Sequence, residues 1–185
     1  MSFITPTCPN GCQFTLPAVS FDTCDPSIFF GEIEHIYIGA GDATPFTDWT
    51  DLAEWTARVD DTTLNDVDLL RDFHVIADLP AATADEIIIS LGRKVYSPAT
   101  HTINVDIDEI SDENYEFARM TSCNTQFRVW FATESHMYGG NDGILATLNL
   151  RPVIERGQKS INKLSGLVSW ENQFSPERSD NPYAA

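Results

Sequence analysis

Three cysteines near the N-terminus come closest, by residue type and spacing, to a chemical site. Cys8 and Cys12 flank an Asn-Gly pair, and Cys24 lies further along the same segment. Two thiolates across such a turn can share one metal ion, but a structural zinc site normally takes four thiolate or imidazole ligands. The remaining candidate ligands show no matching spacing: Cys123, His35, His74, His101 and His136. Ordinary thiols are therefore favoured over a metal site or a disulfide, and we expect no metal and no cofactor.

Two further segments invite a chemical interpretation, and each has a simpler structural one. Residues 106–113 are acidic, but they lack the conserved glycine and the ligand spacing of an EF-hand calcium loop. The end of a strand followed by the N-terminus of a helix is a simpler explanation of this acidic segment. Residues 139–143 are glycine-rich but do not precede a helix, which favours the tip of a hairpin over an anion cradle. No nucleophile elbow or nucleotide-binding glycine loop is present, and we expect no enzymatic activity.

Composition and charge narrow the class of protein further. The chain has 185 residues, with 28 acidic against 11 basic side chains and a formal net charge of −17. The first 84 residues alone hold 14 acidic and 2 basic side chains. Proteins that grip DNA neutralise its phosphates with Lys and Arg, so such a role is not expected here. The length and the 42% of hydrophobic residues suit one domain with a real core.

The sequence carries no pattern of a leader or of a membrane span. Residues 1–6 lack the basic and apolar regions of a secretory signal, and no apolar run approaches the length needed to cross a bilayer. We therefore expect a soluble, unexported chain whose cysteines are free thiols.

The order of predicted elements is arm, β-rich domain and tail. Residues 1–28 contain four prolines among apolar side chains, which predicts an extended arm that lies on a partner surface. Residues 29–174 contain strands at 29–38, 67–77, 86–96 and 102–107, with short helices at 47–58 and 111–121. The expected N-cap is Thr47 or Asp48 for the first helix and Ser111 for the second. One face of the second helix is expected to hold Tyr115, Ala118, Met120 and Thr121. Residues 175–185 are predicted to be a flexible or partner-bound tail.

The C-terminal half adds the strongest strand pattern. Residues 126–133 and 144–150 predict a long β-hairpin around the glycine-rich tip, with Phe127, Val129 and Phe131 on one face and Arg128 and Trp130 on the other. A further strand is predicted over residues 161–170. The fold class is therefore mainly β, a β-sandwich or barrel with one or two flanking α-helices and extended N- and C-terminal arms.

Several C-terminal segments together resemble the major tail tube proteins of tailed bacteriophages. They are residues 112–119 (DENYEFAR), 127–131 (FRVWF), 152–156 (PVIER) and 166–170 (GLVSW), and the likeness covers roughly residues 85–182. The resemblance implies a virion structural protein, assembled in the host cytoplasm, whose six copies form a ring. Rings would stack into a tube through long loops and terminal arms. It assigns residues 1–28 and 175–185 to contacts between subunits or rings.

The resemblance also gives roles to individual residues. The expected subunit-interface residues are apolar and lie in the arm, at two tryptophans and at the end of the β-rich domain: Phe3, Ile4, Phe14, Leu16, Phe21, Trp49, Trp130 and Phe174. Asp106, Asp108 and Glu109 are the expected lumen charges, because a carboxylate-lined wall repels DNA and lets it slide. The partners would be the chain itself, other tail proteins, and genomic DNA that passes without specific binding.

Three alternatives fit the same pattern. A neck or tail-terminator protein and a capsid-decorating protein would have a similar sequence. A β-sandwich carbohydrate-binding module would use its tryptophans as platforms for sugar rings. The tryptophans are Trp49, Trp55, Trp130 and Trp170.

Overall fold

A computed structural model of the chain describes residues 31–59, 67–121, 123, 126–154, 156 and 161–184. The chain divides into a unit Met1–Phe30 and a unit Gly31–Ala185, and all described residues belong to the second. The predicted arm of residues 1–28, with Cys8, Cys12 and Cys24, therefore lies outside the described residues. Cys123 is the cysteine that the described part contains, and its thiol is free and exposed.

The described residues form ten strands and two α-helices. In chain order they are β1 (Ile33–Ala40), α1 (Leu52–Thr56), β2 (Leu70–Asp78), β3 (Glu86–Ile88), β4 (Lys94–Tyr96), β5 (Ala99–Ile107), α2 (Asp112–Thr121), β6 (Gln126–Ala132), β7 (His136–Tyr138), β8 (Ile144–Val153), β9 (Lys163–Asn172) and β10 (Arg178–Asp180). The mainly-β prediction with few flanking helices is confirmed.

The large sheet closes on itself into a barrel. Its strand order is β1-β2-β5-β9-β8-β6, and β6 pairs back onto β1, with antiparallel pairing at every step. β7 and then β10 continue from β6 as a branch. The seam between β2 and β5 is the narrowest, because only Ile76–Asp78 pairs there with residues 104–106. The barrel alternative of the sequence prediction therefore describes the fold better than the sandwich.

The alternating pattern of the strands builds the main core inside the barrel. Ile36 of β1 lies between Phe73 of β2 and Phe131 of β6, and all three side chains are buried in one cluster. Phe127 and Val129 join the same cluster, as the alternation in residues 126–133 predicts. The interior is thus filled with apolar side chains rather than left as a channel.

A second core lies on the outer face of β1 and β6 and is mostly aromatic. It consists of Tyr37, Phe46, Trp49, Trp55, Leu70, Trp130, Ala132 and Met137. The segment before α1 and α1 itself cover this face, because the indole of Trp55 packs edge-on against that of Trp130 with 5.8 Å between ring centroids. Residues 36–39 of β1 and 129–132 of β6 are therefore buried on both faces.

The two helices form close to the predicted positions, but the cap and length of α1 and the packed face of α2 differ from the prediction. Asp51, rather than Thr47 or Asp48, caps α1 by accepting a hydrogen bond from the amide of Ala53, and the helix is shorter than residues 47–58. Ser111 caps α2 through the amide of Asn114, as predicted. The packed face of α2 is Phe117, Ala118 and Thr121, whereas Tyr115 and Met120, which the sequence placed on that face, are exposed.

The hairpin prediction is confirmed in its pairing and wrong at its tip. β6 pairs with β8 from Gln126↔Thr147 to Val129↔Ile144. Between them the chain turns early to form β7, which pairs with the end of β6. The glycine-rich segment after β7 then returns the chain to β8.

The C-terminal segment differs from the predicted flexible or partner-bound tail. β10 pairs with β7, and the side-chain amide of Asn181 donates to the carbonyl of Thr133. The ring of Tyr183 stacks on Tyr37 at 6.0 Å. Residues 178–184 therefore pack against the barrel domain of the same chain. The backbone hydrogen bonds between β10 and β7 hold them there.

Candidate assembly surface

The most exposed apolar feature of the described chain is the segment between β2 and β5. Every residue from 78 to 96 is exposed to solvent. β3 and β4 form an antiparallel hairpin here, with the pairs Glu86↔Tyr96, Ile87↔Val95 and Ile88↔Lys94. We call residues 86–96 the exposed hairpin.

Local interactions give this hairpin its shape. The amide of Ile89 donates to the carbonyl of Arg93 at 2.8 Å, and Lys94 forms a 2.9 Å salt bridge with Glu86 across the strands. At its base, Thr83 and Thr100 exchange backbone hydrogen bonds. The hairpin is therefore anchored at the start of β5, beside the narrow seam of the barrel.

Apolar side chains occupy both faces of the exposed hairpin. Ile87, Ile89 and Val95 lie on one face by strand alternation, and Ile88 and Tyr96 lie on the other. Ile88 is 69% exposed and Tyr96 63%. Glu86 and Lys94, which form the salt bridge, share the second face with Ile88 and Tyr96, whereas the directly opposed pair on the first face is Ile87 and Val95. A face that met only water would be polar, so the first face indicates a surface meant to be covered.

The tip of the exposed hairpin is a leucine in an uncommon backbone conformation. Leu91 has φ of 65° and is 100% exposed. Left-handed φ angles cost energy for any residue with a Cβ, and glycine or asparagine is usual at such positions. An apolar residue that is both strained and fully exposed suggests a functional constraint rather than a folding one.

The expected interface residues lie in three places. Phe3, Ile4, Phe14, Leu16 and Phe21 fall outside the described residues. Trp49 and Trp130 lie in the chain's own second core, where Trp130 is 0% exposed and has no surface left for another subunit. This corrects their assignment, because α1 and the segment before it already cover that face. Phe174 is half-buried near the C-terminus.

The expected lumen charges are not equivalent. Asp106 forms a 2.7 Å salt bridge with Lys163, and hydrogen bonds from Lys163 and Ser165 lower the pKa of its carboxyl group. Its charge is therefore balanced locally. Asp108 and Glu109 are exposed in the connection between β5 and α2 and carry their charges to solvent.

The wall formed by β5, β9 and β8 has an outer face of mainly small polar residues. Thr147 and Ser169 share a hydrogen bond of 2.9 Å across β8 and β9, and Leu167 is an exposed apolar residue among them. Asn104 donates to Asp78 across the β2–β5 seam. This wall is close to neutral, so the strong negative charge of the chain lies elsewhere.

Sequence reasoning missed the exposed hairpin as a separate element. Residues 86–96 were expected to be a β-rich segment, and the turn inside it was not located. The signal was Gly92 at the centre of the segment, since glycine there permits the φ of 72° that reverses the chain. Apolar residues without strict alternation were the second signal, because a strand with one buried face alternates.

No protein-family model matches the sequence, and no curated protein or solved structure is significantly similar to it. Among the described residues, neither α1 nor α2 has the length or apolar character of a helix that crosses a membrane.

Proposed function

We propose that this chain is a virion structural protein that assembles as stacked hexameric rings into a phage tail tube through which DNA is delivered. The observation that carries the proposal is the exposed hairpin, an ordered apolar element with no packing partner among the described residues. The resemblance of residues 85–182 to tail tube proteins gives the kind of assembly.

The exposed hairpin needs a partner for its own stability. An isolated two-stranded hairpin is marginally stable in water at best, and packing against another surface is the usual remedy. Burying one Ile, Leu or Val side chain contributes roughly 1.5–3 kcal/mol. Ile87, Ile88, Leu91 and Val95 together would therefore supply several kcal/mol to a contact between copies, enough to offset part of the cost of association.

The barrel restricts where strands of two subunits can pair. β1, β6 and β9 are paired along both edges, so most of their backbone groups are already used. β2 and β5 differ at the seam between them. Residues 70–75 of β2 pair with β1 and otherwise form only the bridge between Leu70 and Val59. Residues 99–103 of β5 pair with β9 on one edge and form only the bridge at Thr100 on the other. The free edges of β5 and of the exposed hairpin lie at the same seam. They are the edges at which pairing between subunits would extend the sheet.

The net charge of −17 supports a conduit for DNA rather than a DNA-binding protein. A wall rich in Lys or Arg would hold the moving polymer through its phosphates, whereas exposed carboxylates repel it. Asp108 and Glu109 are candidates for such a wall because they are exposed and outside any salt bridge found among the described residues. Salt would screen the repulsion between subunits and so promote assembly.

Substitutions in the exposed hairpin test the proposal. Ile88→Asp combined with Leu91→Asp should leave the barrel folded, because both side chains are exposed, but should abolish rings and tubes by placing charges in the contact. Met120→Asp is the control, since Met120 is 57% exposed on α2 and apolar. Negative-stain electron microscopy and sedimentation velocity would measure assembly. A hairpin variant that assembles as well as the intact chain would contradict the proposed contact.

The alternatives predict different particles. A neck, tail-terminator or decorating protein would give single rings or small oligomers that do not stack. A carbohydrate-binding module of the expected kind needs exposed tryptophans, and Trp49, Trp55, Trp130 and Trp170 are all buried. The described structure therefore disfavours sugar binding through these residues.

A further inference from the structure

We propose that His35, His74 and Asp72 bind one divalent transition-metal ion of the Zn²⁺ class on the outer face of β1 and β2. The strand register brings them together. His35 lies directly opposite His74, and Tyr37 lies opposite Asp72, so all four side chains share one face of the sheet. The ligand atoms of the two histidines and the aspartate all lie within 4.8 Å of one another.

The distances require only small side-chain movements. Nδ1 of His35 lies 2.9 Å from Oδ1 of Asp72, and the two imidazole centroids are 4.2 Å apart. Ligand atoms bound to one tetrahedral zinc are roughly 3.3 Å apart, given bond lengths of about 2.0–2.1 Å. Rotation of the His74 ring, which is exposed, would close the remaining gap.

The scaffold beneath the cluster is rigid. β1 is paired on both edges, with β2 and with β6, and Tyr37 beside the cluster belongs to the second core. Opposed residues on antiparallel strands have Cβ atoms about 4.5–5.5 Å apart, a spacing that two imidazoles can bridge through one ion. Binding would therefore cost conformational entropy mainly at the exposed His74 ring, because His35 and Asp72 already hold each other through a hydrogen bond.

The donor set selects the class of ion. Two imidazoles and one carboxylate suit Zn²⁺, Ni²⁺ and Cu²⁺, whereas Mg²⁺ and Ca²⁺ prefer ligand sets of oxygen alone. Water would complete the coordination, since a cavity of about 430 Å³ adjoins His35 and Asp72. Glu34 and Glu134 also line this cavity and add negative charge that attracts a cation.

The His35–Asp72 hydrogen bond alone is the competing explanation of the cluster. A paired histidine and aspartate on a sheet need no metal, and in that case His74 would be an ordinary exposed residue. The two explanations differ in what His74 does, because only the metal site gives it a ligand role. Substituting His74 therefore discriminates between them.

Metal titration of the full-length chain after chelator treatment tests the proposal. Zn²⁺ and Ni²⁺ would be added separately, with Mg²⁺ as the negative control, and binding followed by isothermal titration calorimetry. The intact chain should bind one equivalent that His74→Gln and Asp72→Asn each weaken by at least about tenfold. At a hundredfold excess over Kd, Zn²⁺ should raise the melting temperature by roughly 5 °C or more.

A cysteine variant separates this site from the N-terminal thiols. The Cys12→Ser variant should still bind one metal ion per chain, whereas the His74→Gln variant should not. If the ion were bound by the N-terminal thiolates, Cys12→Ser would lose binding and His74→Gln would retain it. Thermal unfolding without metal checks that each variant is folded. The proposal is overturned if the intact chain binds no Zn²⁺ or Ni²⁺ at micromolar concentrations, or if His74→Gln and Asp72→Asn bind as the intact chain does.

Discussion

Trp130 links the two cores of the domain at the scale of a single residue. Its strand neighbours Val129 and Phe131 fill the barrel, while its own ring packs edge-on against Phe46 and Trp55 on the other face. The indole nitrogen donates to the carbonyl of Gly140 at 2.8 Å. We expect Trp130→Ala to lower the free energy of unfolding by about 3–5 kcal/mol, the usual cost of truncating a buried aromatic side chain.

Chemical denaturation monitored by circular dichroism would measure this loss. Tyr115→Ala is the control, because Tyr115 is exposed on α2, and its effect should stay within about 0.5 kcal/mol. An equally small change for Trp130→Ala would contradict the description of the second core.

Gly143 and Gly92 form a matched pair for a second prediction. Their φ angles are alike, 67° and 72°, but a Cβ at Gly143 would meet the Trp130 ring at 2.5 Å, whereas at Gly92 it would meet nothing within 4 Å. Gly92→Ala should therefore cost only backbone strain, about 1 kcal/mol. Gly143→Ala should cost the same strain plus the displacement of the indole, and so about 1–3 kcal/mol more. Equal losses in the two variants, by chemical denaturation, would show that Trp130 does not press on Gly143.

The face on which a side chain lies could be predicted from the alternation within one strand. Contacts between residues far apart in the sequence could not. Alternation placed Phe127, Val129 and Trp130 on the correct faces, because neighbours in a strand point to opposite sides. It did not join His35 to His74, since the register of β1 on β2 is set by packing across the whole barrel. Alternation could have placed Asp72 and His74 on one face, but not beside His35.

The Asp106–Lys163 pair ties β5 to β9 at the scale of elements. Hydrogen bonding to Lys163 lowers the pKa of Asp106 in the folded chain below its unfolded value of about 3.9. The pair therefore stabilises the fold above that unfolded value, and the contribution is lost as the pH falls through the folded pKa. Both side chains are about one third exposed, so we expect less than about 1 kcal/mol.

A double-mutant cycle would measure this contribution. Asp106→Asn, Lys163→Gln and the double variant, unfolded by denaturant at neutral pH, should give a coupling free energy of a few tenths of a kcal/mol. The coupling should shrink as the pH is lowered through the folded pKa of Asp106, because protonation of the carboxyl group removes its charge. A coupling that does not change with pH would mean that the interaction is not ionic.

Elements were predictable where a helix cap or a long alternating run marks them. Ser111 marked the start of α2, and residues 126–133 and 144–150 marked the β6–β8 pair. β7, β10 and the turn of the exposed hairpin were missed because three-residue strands leave little periodicity. Their formation depends on hydrogen bonds to distant partners, such as β10 with β7.

At the scale of the whole molecule, the sequence predicted a mainly-β domain but left sandwich and barrel open. Closure depends on the pairing of β1 with β6, which are separated by most of the domain. No local pattern encodes such a contact. The assembly surface was expected in the arm, which lies outside the described residues, and at two tryptophans, which are buried in the second core. Among the described residues, the exposed hairpin is the apolar surface that the local sequence pattern did not identify.

The N-terminal segment gives a separate prediction about assembly. Residues 1–28 carry apolar side chains among four prolines, a composition that favours docking on a partner over independent folding. Deleting residues 1–24 should leave a domain with cooperative unfolding but without ordered rings or tubes. Sedimentation velocity would compare the truncated and intact chains. If the truncated chain assembles as well as the intact chain, residues 1–28 do not contribute to the proposed contacts between subunits.

Self-assembly into a tube would be visible by negative-stain electron microscopy of the purified full-length chain. Samples at low and high ionic strength would be compared, because screening the charge of −17 should favour association. We expect hollow rings of six subunits and stacks of such rings, more of them at high salt. Compact monomers under all these conditions would contradict it.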